Sequence, residues 1–194
     1  MARLAPNPVP RRRDDDTTLS PSGPYRSLKQ LGLVVLCGAW VVLGLIGHDP
    51  WKTEDATSFG IVHEMLHGGD YLTPNLAGEP FVDRPPLVYA LGTLTGALTR
   101  SFLPEHDAAR LAVGLLLALT LYMLAETGRE LMGRNFRWMP VLLFVGSVGL
   151  WDRAHQLSPE LGLVAGIAIA QYGFAVALRR PVAGGLGGSH LHRP

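Results

Sequence analysis

Five stretches of the chain are nearly free of charge, and polar segments separate them. They read "LGLVVLCGAWVVLGLIG" (31–47), "PPLVYALGTLTGALT" (85–99), "AVGLLLALTLYMLA" (112–125), "WMPVLLFVGSVGLW" (138–151) and "LGLVAGIAIAQYGFAVAL" (161–178). Apolar blocks of this kind are the pattern of helices that cross a membrane, where a span needs about 20 residues. The intervening segment 48–85 is polar and mixed. Thr53 can cap a helix there, with Glu54 and Asp55 in its first turn, and the Gly68-Gly69 pair can end it. Phe59, Val62 and Leu66 then share one face, which predicts a short amphipathic helix lying on the membrane surface. Residues 1–30, rich in Pro, Ser and charge, are expected to be a disordered cytoplasmic tail, and 179–194 a cytoplasmic low-complexity tail with no packing potential.

The arginines set the expected topology, because cationic loops stay on the cytoplasmic side. Arg11, Arg12, Arg13, Arg26 and Lys29 precede the first run. Arg129, Arg134 and Arg137 follow the third, and Arg179 and Arg180 follow the last. All three clusters fall inside only if run 85–99 does not cross. That run opens with Pro85-Pro86 and is short for a span, so it is read as a second interfacial or re-entrant helix. Loops 48–110 and 152–160 then share the outer face, where Glu54, Asp55, Asp83, Arg84, His155 and Glu160 can converge. The expected class is all-α, integral membrane, with about four transmembrane helices plus interfacial helices on the outer face. The membrane domain is 31–178, with 48–110 as its outer-face loop.

Composition agrees. The chain is 47% hydrophobic with a net charge of +1, and Cys37 is its single cysteine. No disulfide framework can form. No basic stripe exists to neutralise phosphates, which argues against nucleic acid as a partner.

Four short motifs carry candidate chemistry. "HEMLH" (63–67) puts two imidazoles one helical turn apart with Glu64 between them, the pattern of zinc proteases. A third ligand is required, and His106, His155, Glu160 or another carboxylate would have to supply it. A solvated helix face is the plainer reading, and no metal is expected here. "WKTEDA" (51–56) places adjacent carboxylates after a span, suited to a general base facing a lipid-borne substrate. In "GEPFVDRPPLVY" (78–89) the double proline fixes where Arg84 points, and a guanidinium there can hold a phosphate. The plainer reading is a local pair with Asp83. In "SPELGL" (158–163), Glu160 opens a span beside Pro159.

Their order resembles the polyprenyl-phosphate-dependent glycosyltransferases of the GT-C class, in particular the aminoarabinose (lipid A) transferase and protein O-mannosyltransferase-like group. That family has an acidic pair after the first span, an "EML..GD" segment, a "P.L.GEP(Y/F)..KPPL.Y" loop, an "AARL" segment and a later "PD" pair. The matching text here is "EDATSFGIVHEMLHGGD", "TPNLAGEPFVDRPPLVY", "DAARLAVG" and "SPELGL". The resemblance covers residues 40 to 180. It implies Glu54 as catalytic carboxylate, with Asp55 as its neighbour or substitute, in the reverse of the family's usual order. It implies Arg84 in place of the phosphate-binding Lys, and Glu160 in place of the Asp of "PD". Asp83, Tyr89 and Arg110 are implied to contact substrate. A divalent metal is the one cofactor the resemblance admits, with Asp83 as its candidate ligand and no completed coordination shell.

The implied function is transfer of a sugar from a polyprenyl-phosphate donor to a lipid or protein acceptor at the outer face of a bacterial inner membrane. The family's chains are longer, so this one is expected to be an N-terminal fragment. Two alternatives belong to other classes: a membrane zinc metalloprotease using His63, Glu64 and His67, and an inactive membrane fragment.

Overall fold

A computed structural model describes residues 24–47, 49–50, 53–71 and 73–179. The chain divides into two units, one ending at Val34 and one beginning at Val35. The second unit holds every helix except the first turns of the N-terminal one. The expected disorder before 24 and the expected tail after 179 lie outside the described residues.

The fold is all-α, with one two-residue hairpin. Helix α1 (Pro24–Leu43) leads to α2 (Thr53–Leu66), the hairpin strands β1 (Asn75–Leu76) and β2 (Glu79–Pro80), and α3 (Leu87–Thr99). Then come α4 (Glu105–Met132), a single 3-10 turn (Arg134–Phe136), the short helices α5 (Met139–Val145) and α6 (Val148–Arg153), and α7 (Glu160–Arg179). Helix α1 starts seven positions before the apolar run at Leu31, so residues 24–30 are helical rather than disordered. Proline in the first helical turn needs no N–H partner there, which suits Pro24 to that place.

Helices α4 and α7 are long and apolar enough to cross a membrane. From Arg110 to Arg129, α4 rises about 28 Å, close to the roughly 30 Å of a hydrocarbon core. Residues 111–125 between them carry no charge. The two helices run parallel. Arg179 at the end of α7 donates to the Leu131 carbonyl near the end of α4 at 3.2 Å. At the opposite end, the segment entering α7 and the start of α4 meet through Asp55. Ala165, Ala168 and Ala175 of α7 and Ala108, Ala109 and Ala112 of α4 are all buried, and Ala109 lies against α3, where its carbonyl accepts from Thr95. The other face of α7 exposes Leu163, Ile167, Phe174 and Leu178, an apolar surface suited to lipid.

The return path between these helices differs from expectation. Run 138–151 predicts one continuous helix, but α5 ends at Val145 and α6 starts at Val148. The Gly146-Ser147 pair interrupts them, and Ser147 turns its hydroxyl back onto the Leu143 carbonyl. The near end of this broken path is held at the bottom of α4, where Arg137 reaches Glu126 at 2.7 Å. Its far end is held at the top, where His155 Nε2 bonds the Trp40 carbonyl of α1 at 2.9 Å. Gly128 makes the lower contact close, since a Cβ there would meet the Arg137 carbonyl oxygen.

Helix α2 spans its expected residues and is closed by Gly68 at φ +106°, a left-handed turn that favours glycine. Its inward face is not the expected one. Asp55, Ser58, Ile61, Val62 and Met65 are buried, while Phe59 and Leu66 are only partly so. The expected face left out Asp55 and Ser58, which their hydrogen-bond partners draw inward. Helix α3 is 13 residues long, about 20 Å, short for a span as expected. It packs between α2 and α4 through Gly92 and Gly96, where an added Cβ would press on Val62 and Leu66.

One buried ion pair joins these pieces. Arg110 of α4 and Asp55 of α2 meet at 2.6 Å, and each is 1% exposed. The second Asp55 oxygen accepts the Leu157 backbone N–H at 2.8 Å. Arg110 also faces Asp107 at 3.5 Å, whose carboxylate accepts the Gly47 N–H beyond α1. Removing one partner of a buried pair leaves an uncompensated charge, at a cost of about 3–5 kcal/mol. Asp55→Ala should therefore lower the unfolding midpoint in detergent sharply. Glu54→Ala, one position away and half-exposed, should change it by less than about 1 kcal/mol. Equal midpoints for the two variants would refute this assignment.

Candidate functional site

Three of the residues singled out in the sequence meet at the upper end of the bundle. Glu54 sits in the first turn of α2 and Glu160 in the first turn of α7. Arg84 lies between them, just ahead of Pro85-Pro86. Its two terminal nitrogens stand 3.4 Å from Glu54 Oε1 and 3.4 Å from Glu160 Oε1. Both contacts are longer than the roughly 2.7–2.9 Å of a well-formed charge-assisted bond. The donors of Arg84 are thus loosely held and can turn to an incoming anion. Glu160 also faces Arg153 at 3.6 Å, a residue that the sequence pattern did not single out. Its only sequence signal was its place seven positions before Glu160.

The hairpin presents Arg84. Ala77 and Gly78 both take positive φ, 55° and 82°, the two-residue turn that matches strand twist. Register follows: Asn75 faces Pro80 and Leu76 faces Glu79. Phe81 N–H then bonds the Pro74 carbonyl at 2.7 Å, so the chain leaves the hairpin in a fixed direction toward Arg84. Pro85 and Pro86 stiffen the next two positions up to α3.

Two cavities flank Arg84. The larger, about 460 Å³, runs between the starts of α3 and α7 and is lined by Arg84, Pro85, Leu87, Val88, Glu160 and Leu163 among others. Apart from the two charged residues its wall is hydrocarbon. The smaller, about 230 Å³, carries more polar groups: Thr53, Glu54, Thr57, Ser58 and Tyr89 line it with Phe81, Arg84 and Pro159. Arg84 and Pro159 belong to both. Thr57 and Ser58, absent from the sequence-based set, lie one turn after Glu54 on α2.

Other expected residues are placed elsewhere. Asp55 lies below Glu54, occupied by Arg110 and the Leu157 N–H, so neither oxygen faces a cavity as a base would. Arg110, expected to touch substrate, is fully buried in the same pair. Asp83 is exposed, and no ion pair joins it to Arg84 among the described residues. His155 points to α1 instead of the site.

Tyr89 is buried with its hydroxyl bonded to Ser58. Burial pushes its pKa up from the ordinary value of 10.0, and the Ser58 bond and the Arg84 charge oppose this. The folded state thus favours the neutral phenol. Its stabilising preference is intact below the ordinary value and is lost as pH rises through the raised one. The unfolding midpoint should fall as pH climbs above about 10, and Tyr89→Phe should flatten that slope. Identical slopes for wild type and Tyr89→Phe would contradict it.

No protein-family model matches the chain, and neither a curated protein nor a solved structure matches it.

Proposed function

We propose that the chain carries the donor site of a polyprenyl-phosphate-dependent glycosyltransferase of the GT-C type, at the outer face of a bacterial inner membrane. The observation that carries this reading is the placement of Arg84. It stands between a carboxylate on each side, with a hydrocarbon-walled cavity beside Glu160 and a pocket carrying four hydroxyl side chains, Thr53, Thr57, Ser58 and Tyr89, beside Glu54. A prenyl chain suits the apolar cavity, its phosphate suits Arg84, and a sugar suits the pocket of hydroxyls.

In the proposed reaction, Glu54 takes a proton from the acceptor's hydroxyl or amine. The acceptor then bonds to the sugar's anomeric carbon as the bond from that carbon to the phosphate oxygen breaks. The leaving group is the polyprenyl phosphate, whose new charge Arg84 neutralises. Glu160 orients Arg84 from the other side. Of the two adjacent acids, the geometry favours Glu54 over Asp55, because Asp55 is consumed by Arg110. The peptidase alternative would need a substrate cleft at His63 and His67, and neither of the cavities beside Arg84 reaches them.

The same reading makes four traverses of the membrane, with α5 and α6 together as the third. Its topology puts Arg129 and Arg179 inside and Arg84 and Glu160 outside. Single cysteines introduced at these positions in a Cys37→Ala background should label from those respective sides. Labelling of positions 84 and 160 from opposite sides would sink the shared site.

Arg84→Ala should weaken binding of a polyprenyl phosphate in detergent by about one to two powers of ten, since a charge-assisted bond contributes roughly 1.5–3 kcal/mol. Arg84→Lys should keep much of the affinity. Equal affinity for wild type and Arg84→Ala would remove the phosphate role and the reading built on it.

A further inference from the structure

The "HEMLH" segment lacked a third ligand in the sequence, and the structure brings one. His63 and His67 stand at the end of α2 with ring centroids 4.2 Å apart. Glu105, in the first turn of α4, places Oε1 2.8 Å from His63 Nδ1 and 3.9 Å from His67 Nδ1. One donor atom from each of the three residues lies within 4.8 Å of the others.

The hydrogen bonds prepare both rings. His67 Nδ1 is 2.8 Å from the His63 carbonyl oxygen. A carbonyl only accepts, so Nδ1 carries the proton and the neutral ring has its lone pair on Nε2. His63 Nδ1 faces Glu105 Oε1 at 2.8 Å, and an ion that replaces the proton between them takes both atoms as ligands. An imidazole whose far N–H is held by a backbone carbonyl, as that of His67 is, is a usual arrangement of a metal-ligating histidine. The side chains of His63 and His67 are more than half exposed and that of Glu105 is partly so. An ion can enter, and side-chain rotation can draw the donors in to bond lengths of about 2.0–2.2 Å.

We propose that His63, His67 and Glu105 bind one divalent cation of the zinc class, with the fourth position open to water. Two imidazoles and one carboxylate favour zinc over magnesium or calcium, which take oxygen ligands. The ion would clamp the end of α2 to the start of α4, at the end of α2 away from Glu54 and Arg84. The site stands independently of the glycosyltransferase reading. Glu64 is not part of the cluster, so the inference is metal binding and not peptide cleavage.

The test uses the full chain, purified without a polyhistidine tag and with His190→Ala/His192→Ala to remove the tail histidines. Zinc retained after dialysis is measured, and cobalt(II) is titrated as a spectroscopic probe. The expected result is one equivalent of zinc, visible bands of tetrahedral cobalt and a metal-dependent rise in unfolding temperature. His63→Ala and Glu105→Gln should each weaken binding by more than the roughly 10–100-fold that loss of an outer-shell partner costs. Their metal-free unfolding temperatures should match the parent's, and Glu105→Gln, which keeps the side-chain shape, decides the matter if His63→Ala does not fold. No retained zinc in the parent, or equal retention by parent and Glu105→Gln, overturns the proposal.

Discussion

The Asp55–Arg110 pair is the contact on which the upper half of the bundle depends. Two charges taken out of water gain from each other only if the geometry is close and their remaining donors and acceptors are used. Here they are: Asp55 holds the Leu157 N–H with its second oxygen, and Arg110 has Asp107 beside it. The pair therefore fixes three things at once. It docks α2 on α4, it sets the height of the segment that enters α7, and through Asp107 it locates the end of α1. Glu54 and Glu160 have defined positions because Asp55 and Leu157, close to each in the chain, are tied to the same buried point.

That constraint also explains why adjacent acids have different surroundings. Successive residues on a helix point about 100° apart. Once Asp55 is turned inward to Arg110, Glu54 is turned toward the pocket of Thr57, Ser58 and Tyr89. Nothing in the text "TED" tells which acid faces inward, because the deciding partner is 55 positions away. The same blindness misplaced the inner face of α2, since a hydrophobic pattern scores a paired aspartate as a surface residue. Glu105 was hidden for the same reason, being 42 residues from His63.

Local physics made part of the chain legible. The first-turn acids of α2, the glycine after it, the shortness of α3 and the start of α7 at Glu160 all agree with the residues that encode them. The Arg84 neighbourhood was legible from the order of its motifs but not from composition, and the plainer pairing with Asp83 gave way to two longer contacts across the fold. The break at Gly146-Ser147 was visible as two poor helix formers, yet their apolar surroundings argued for continuity. Tertiary contacts at both ends of the path, Arg137 with Glu126 and His155 with Trp40, hold the two short helices in place.

The charge distribution along α4 links fold to setting. Its upper end is neutralised inside the protein, Arg110 against Asp55 and Asp107, and its lower end likewise, Arg129 and Arg137 against Glu126 and Glu130. Between them residues 111–125 carry no charge, a rise of about 22 Å. Unpaired charge at either end would be costly near lipid, and paired charge is not. Arg84 departs from this pattern, with long, half-exposed contacts to Glu54 and Glu160 beside a hydrocarbon-walled cavity. The fold holds Arg110, Arg129 and Arg137 in contacts of 2.6–2.7 Å and Arg84 in contacts of 3.4 Å, so Arg84 has the weakest internal partners of the four.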